Sequence, residues 1–179
     1  MTTAKAFGRT PIETDRLVLR PLAQHDADFL ARTASKPEVC RMIARVPRRF
    51  PVLAAEIFVT RTIIGERTGR CAVRLITGQD GHRLGVIGID DTGKGAFDFG
   101  YWLSPDAWGQ GYVTEAGRAM VMGARTAGIA RLTAGNFLDN PASARVLDKL
   151  GFVPTGETID LFSFGRMTKS PCRRVAMEL

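Results

Sequence analysis

Cysteine and histidine are scarce in this chain: three cysteines, Cys40, Cys71 and Cys172, and two histidines, His25 and His82, in 179 residues. Widely separated and without a Cys-x-x-Cys, they argue against a structural zinc and give no metal-binding residues. The odd cysteine number and the polar N-terminus, which lacks an apolar signal core, point to a reducing, cytoplasmic setting. Long hydrophobic runs are missing too. Charges or glycines interrupt every apolar stretch within a few residues, so no segment reads as a membrane span and no membrane partner is expected. No repeat, low-complexity tract or linker divides the chain. Residues 1–9 are expected to form a flexible N-terminal tail and residues 10–179 a single domain. At this length such a chain buries about 70% of the surface its unfolded form exposes.

Negative charge is in deficit, with 25 Lys and Arg against 18 Asp and Glu, a net +7. Arginines gather at Arg41, Arg45, Arg48 and Arg49 and again at Arg173 and Arg174. Such a surface attracts anions at long range. No nucleic-acid motif or aromatic-interleaved basic tract accompanies it, so the arginines read as a solvated basic face that also favours a small phosphorylated ligand.

Apolar periodicity supplies the elements. Arg16 to Arg20 alternates Leu17 and Leu19 with polar positions, a half-buried strand closed by Pro21. A helix is expected from Gln24–Asp26 with Phe29 and Leu30 inward, a second from Pro37 to Ala44, and a third over Leu53–Ile64 with Leu53, Ile57 and Ile64 at helical spacing. Cys71–Thr77 and Leu84–Asp90 read as strands joined by the turn Gly78-Gln79-Asp80-Gly81, followed by a third strand from Ala96 to Leu103. A helix from Gly111 to Ala127 with Ala116, Met120, Ala124 and Ala127 on one stripe is stopped by Gly128. After the short strand Arg131–Gly135, a helix is punctuated by Asn140 as N-cap, Pro141 at its first position and Gly151 past its end. Thr158–Phe164 and Cys172–Met177 read as closing strands. The hairpin-like first half and the strand-helix-strand second half predict an α+β domain. Its central sheet is mixed and mostly antiparallel, with a locally parallel pair, and helices flank it.

Trp108-Gly109-Gln110-Gly111-Tyr112-Val113-Thr114-Glu115 carries the most chemistry. Its glycines allow close approach to a ligand, and the first amides of the following helix are unpaired donors, which suits a phosphate or pyrophosphate. Plain turn chemistry explains two glycines equally well. The dinucleotide fingerprint fails, because Thr114 stands where a third glycine or alanine is needed, and the P-loop fails for want of a Lys-Ser or Lys-Thr pair.

Together with Phe99-Gly100-Tyr101-Trp102-Leu103, Asn140-Pro141-Ala142-Ser143 and Lys149-Leu150-Gly151-Phe152, this turn resembles the GNAT acetyltransferase superfamily. Within it the chain is most similar to the RimJ/RimL-type ribosomal-protein N-terminal acetyltransferases, whose opening segment also resembles Glu13–Arg20. The resemblance implies a GNAT-like fold and an N-acetyltransferase with acetyl-CoA as co-substrate and no metal. It further implies that Gln110, Gly111, Tyr112 and Val113 give amides to the CoA pyrophosphate, with Trp108, Gly109 and Thr114 in the same motif, and that Asn140 and Ser143 lie beside the pantetheine arm. Two positions depart from the general motif: Trp108 replaces Gln or Arg, and Val113 replaces Gly or Ala, whose extra bulk beside the pyrophosphate would weaken cofactor binding.

Acetyl transfer to an amine needs a free nitrogen lone pair, a stabilised oxyanion and a proton for the leaving thiolate. Asp98 is the candidate base, through a water; it is equally well explained as a polar residue on an exposed strand face. Ser143 is the candidate hydrogen-bond donor to the sulfur, with a first-turn helix serine as its plain alternative. The oxyanion is assigned to a backbone amide at Trp102 or Leu103, if the strand splays there. Tyr101 and Trp102 read as core or channel wall. The acceptor is a primary amine, a protein N-terminal α-amine or a small-molecule amine; nucleic acid enters only indirectly, through a ribosomal substrate, and homodimer formation stays open. The competing readings are a non-catalytic acyl-CoA-binding regulatory module and an RNA-binding protein.

Overall fold

The computed structural model of the protein describes residues 7–179. Strand β1 (Ile12–Glu13) folds back on β2 (Leu17–Pro21), whose period-two pattern puts Leu17 and Leu19 fully inside. A 3₁₀ turn over Gln24–Asp26 leads into helix α1 (Ala27–Ala34), which buries Leu30. Helix α2 (Pro37–Cys40) is only one turn long and stops short of the expected Ala44. Past Cys40 the chain tightens, with the Met42 and Ile43 amides bonded to Val39 O and Cys40 O three residues back, and the next carbonyls turn to distant donors: Arg41 O accepts from Arg166 Nε, Ile43 O from Ser163 Oγ, and Ala44 O from the Phe164 amide.

Helix α3 (Val52–Arg67) is where expected, but its apolar spacing points the other way. Leu53, Ile57 and Ile64 are 66%, 52% and 49% exposed, while Ala55, Val59 and Thr62 face the core. Polar and apolar residues are spread round the helix without a clear stripe, so periodicity does not select its inner face. Close approach does, because Gly65 abuts the Cys71 sulfur with no room for a side chain.

Strands β3 (Cys71–Gly78), β4 (Arg83–Asp91) and β5 (Phe97–Leu103) form an antiparallel meander. Helix α4 (Tyr112–Thr126), strand β6 (Arg131–Phe137), helix α5 (Pro141–Leu150) and the hairpin β7 (Val153–Ser163) and β8 (Thr168–Glu178) follow. The eight strands form one sheet in the order β1-β2-β3-β4-β5-β6-β8-β7, antiparallel throughout except for β5 and β6. Alternate residues divide its faces. Val73, Leu75 and Val86 pack with Leu30 of α1 and Ala55 and Val59 of α3; Ile87, Ile89 and Phe99 pack with Ala116, Met120 and Ala124 of α4 and Leu147 of α5. No helix among the described residues is long and apolar enough to cross a membrane.

Within the expected tail of residues 1–9, residues 7–9 make contacts with the body of the domain. Arg9 pairs with Glu66, Gly8 accepts a 2.6 Å hydrogen bond from Arg74, and the Phe7 ring lies beneath the Arg74 guanidinium, 5.7 Å from centroid to carbon. Arg74 is fully buried and needs these partners. Residues 1–6 of that expected tail lie outside the described residues.

One feature of the sheet positions everything that follows. The parallel pair has rungs only at Phe97↔Leu132 and Asp98↔Thr133, although β5 continues to Leu103 and β6 to Phe137. Beyond Asp98 the two strands part and leave a wedge-shaped gap in the middle of the sheet.

Candidate active site

The glycine turn stands at the end of the β5 arm of the gap. Gly109 and Gly111 have φ of +75° and +80°, which favours glycine, and a Cβ at Gly109 would meet nothing within 4 Å. Gly111 is the N-cap of α4 and supplies no side-chain acceptor. The first intrahelical bond in the turn runs from the Glu115 amide to Gly111 O, so the amides of Tyr112, Val113 and Thr114 remain unpaired at the helix start. The turn is braced from three sides. Trp108 Nε1 donates to Leu103 O at 3.1 Å, Gln110 Nε2 to Asp106 O at 2.9 Å, and Arg16 Nη1 to Gln110 O at 3.1 Å. Arg16 also donates to Glu115 at 2.7 Å, and Thr14 Oγ1 donates to the same carboxylate at 2.6 Å. Partial burial opposes ionisation of Glu115, but these hydrogen bonds outweigh it and hold the carboxyl below the usual range.

Val113 points away from the turn into the core, 9% exposed and packed in the same cluster as Ala116 and Met120. The steric objection raised by its bulk therefore loses its premise, while its amide stays in line with its neighbours. Outside the turn a cleft of about 560 Å³ opens, lined by Gly111, Thr114, the cations Arg16, Arg118 of α4 and Lys149 of α5, and the carboxylates of Asp15 and Glu115. Arg16 is paired with Glu115, so Arg118 and Lys149 are the cations left to face an anion there.

Inside the gap, ladder phase decides which backbone groups are free. Ser104 donates to Leu84 O at 2.8 Å, and the β4–β5 register is regular from Gly85↔Leu103 to Asp91↔Phe97. Alternation then turns the Trp102 amide toward β4 and leaves those of Tyr101 and Leu103 facing the gap. Of the two amides expected to hold an oxyanion, Leu103 is the one aimed there. Its own carbonyl is occupied by Trp108, and the Trp102 ring stacks on Phe29 of α1, 6.2 Å between centroids, as wall rather than ligand.

Helix α5 begins beside the gap. Asn140 Oδ1 accepts from the Ser143 amide at 3.1 Å, the expected cap. The Tyr101 hydroxyl crosses from β5 to meet it, 2.8 Å from Ser143 Oγ and 3.2 Å from Ser143 O. Burial pushes the Tyr101 phenol up to about 12, only partly offset by its bond to Ser143. The sequence, in which Tyr101 reads as core or channel wall, gives no sign of this partnership between residues 101 and 143. Tyr101 shares the inward alternation of Phe99 and Leu103, yet nothing in one sequence says where α5 begins in space.

Asp98 lies at the base of the gap, on the opposite face of β5 from Tyr101. Its Oδ1 accepts from Thr133 Oγ1 at 3.0 Å and from Arg174 Nη2 at 2.9 Å, and Arg45 lies 3.9 Å from Oδ2. The structure thus does not bring Asp98 and Ser143 together. Across the ladder stands Asp90, raised above the ordinary carboxyl range by burial, with Arg45 opposing and Asp98 reinforcing the shift.

A clamp closes this face. The chain after α2 meets the turn between β7 and β8, where Phe164 N donates to Ala44 O at 2.9 Å and Arg48 Nε to Gly165 O at 3.0 Å. Arg166 and Arg41 share the Asp139 carboxylate, and the Arg166 guanidinium lies 4.2 Å from the Phe137 ring centroid. Among the described residues no three His, Cys, Asp or Glu side chains gather as a metal site would require.

Comparison with known proteins adds to this geometry. YoaA of Bacillus subtilis (strain 168), named an uncharacterized N-acetyltransferase, is 29% identical over 150 residues, 81% of this chain and 84% of its own length. Among solved structures, RimL, the ribosomal L7/L12 alpha-N-protein acetyltransferase in complex with coenzyme A, superposes with a TM-score of 0.83 at 20% identity, over 95% of this chain and 98% of that one. RimJ of Mycobacterium smegmatis, in complex with CoA-disulfide, gives 0.83 at 20% identity, over 96% and 88%. At such identity the likeness is one of fold. Residues 16–153, spanning β2, the glycine turn, the gap and α5, match the acetyltransferase (GNAT) domain, and the chain therefore belongs to the GNAT acetyltransferase family.

Proposed function

We propose that the protein transfers the acetyl group of acetyl-CoA to a primary amine, with a protein N-terminal α-amine as the leading acceptor. One observation supports the reading: β5 parts from β6 beyond Asp98, carries the Tyr101–Ser143 contact and leads into the turn at the N-terminus of α4, whose first amides have no intrahelical partner. The residues fit the cofactor. Amides of Gly111 through Thr114 suit its pyrophosphate, the cations Arg118 and Lys149 suit further phosphate, and the gap-facing amides of β5 suit an extended amide-bearing arm.

Each remaining role falls to a side chain or amide already described. The Leu103 amide stabilises the oxyanion, and Ser143 stands beside the leaving sulfur. Asp98 and Asp90, on the face closed by the clamp, accept the amine proton through water. The +7 surface favours an acidic acceptor-bearing partner, and the protein substrate named for RimL supports a polypeptide acceptor.

Acetyl-CoA is expected to raise the melting temperature, and Gly111→Asp, which puts a carboxylate against the pyrophosphate in a left-handed position, is expected to abolish that shift. Free CoA should appear when a panel of peptides and small amines is supplied. No shift and no CoA release with any acceptor would overturn the proposal.

A further inference from the structure

Tyr101 and Ser143 contain two hydroxyl protons and have more than two places to put them. The phenol oxygen lies 2.8 Å from Ser143 Oγ and 3.2 Å from Ser143 O, and the Ser143 amide is already committed to Asn140. A phenol has one proton to give. If it goes to the Ser143 carbonyl, the serine proton is drawn back to the phenol oxygen. If it goes to Oγ, the serine proton is free to point out of the pair and into the gap. An anion developing beside Ser143 selects the second arrangement, which turns the serine proton toward it while the phenol proton stays bonded to Oγ. Burial keeps the proton on the phenol at neutral pH, so the phenolate does not compete.

Resting on the acetyl transfer proposed above, we infer that Tyr101 is a positioning residue: it donates to Ser143 Oγ and so turns the Ser143 hydroxyl into a donor aimed at the leaving sulfur. The amine nitrogen forms the new N–C bond and the C–S bond breaks. Its electron pair goes to sulfur, which is held as thiolate by the Ser143 O–H. The amine proton leaves through water to the carboxylates on the other face. The thiolate, with an ordinary thiol pKa of about 8.5, takes its proton from solvent. Both hydroxyls keep their protons throughout, which avoids asking an ordinary serine to act as an acid.

Tyr101→Phe keeps the ring and its packing and removes only the donor. It is expected to lower kcat about tenfold while the KM for acetyl-CoA stays within about twofold, since the bond matters when charge reaches sulfur. Ser143→Ala should lose at least as much, and the double variant should be no slower than Ser143→Ala alone, because Tyr101 acts through that hydroxyl. A structural role would instead give multiplying losses and a raised KM. An independent readout needs no acceptor: titrating the thiol of bound CoA by its ultraviolet thiolate absorbance should show a lowered pKa in the parent protein, raised by Tyr101→Phe and by Ser143→Ala. Independent losses, or a thiol titration unmoved by Tyr101→Phe, overturn the inference while leaving acetyl transfer intact. Failure of the parent protein to bind CoA overturns both.

Discussion

Asp26 is wholly inside the protein and yet charged. Its Oδ2 accepts from the Ala23 amide at 2.9 Å, and its two oxygens take a fork from Arg20 at 2.7 and 2.8 Å. Burial alone would raise its pKa; the Arg20 and Ala23 hydrogen bonds more than reverse this, and the carboxyl titrates below its ordinary range. A depressed folded-state pKa gives stability that is fully present above the unfolded value, about 3.9, and is lost as pH falls through the folded one. Asp26→Asn should therefore flatten the acid limb of a stability–pH curve as well as lower the melting temperature at neutral pH. An unchanged acid limb would show that other carboxylates govern it. The sequence marks Asp26 only as part of the expected start of a helix; its ion pair is not legible there, because nothing local says that Arg20 turns back over it. Glu66 is a stricter case. It lies between Arg9 and the fully buried Arg74, and Glu66→Ala should cost about 3–5 kcal/mol by stranding a buried cation, measurable by urea denaturation.

At the scale of elements, legibility followed punctuation. Helices α4 and α5 were readable because Gly111, Asn140, Pro141 and Gly151 mark their ends and small or branched residues mark their inner stripes. The meander was readable from alternation and one turn tetrad. What escaped were elements decided by distant partners: after α2 the carbonyls of Arg41, Ile43 and Ala44 bond to the β7–β8 region instead of continuing a helix, and α3 turns its smaller residues inward because Gly65 allows the tightest approach. The candidate site divides the same way. Its glycine turn is local and was legible, whereas the meeting of Tyr101 with Ser143 depends on how two strands part. Asn140 joins the two kinds, being a local cap that also fixes a site residue. Asn140→Ala should lower stability by about 1 kcal/mol and, by loosening Ser143, reduce turnover by more than that loss of stability explains. Thermal melts and initial rates compared with a cap-retaining Asn140→Asp variant separate the two effects.

For the whole molecule, the parted sheet is the organising fact. An uninterrupted ladder would satisfy every backbone group of β5 and β6, and the protein instead leaves one side of each arm open over the length of the gap. Rigidity lost there is restored by the clamp, which ties the segment after α2 to the turn between β7 and β8 through Arg48, Ser163 and Arg166.

That clamp has a kinetic consequence. Its hydrogen bonds join residues 117 to 125 positions apart, so the loop they close takes in about two thirds of the 179-residue chain. Contacts of such span are reached only after both arms of the sheet exist, late in folding and after the main barrier has been crossed. Arg166→Ala should accordingly quicken unfolding and leave the refolding rate nearly unchanged in stopped-flow experiments. An equal change in both limbs would place the clamp in the folding nucleus instead. On this account the clamp guards the native state by delaying its escape, not by hastening its arrival.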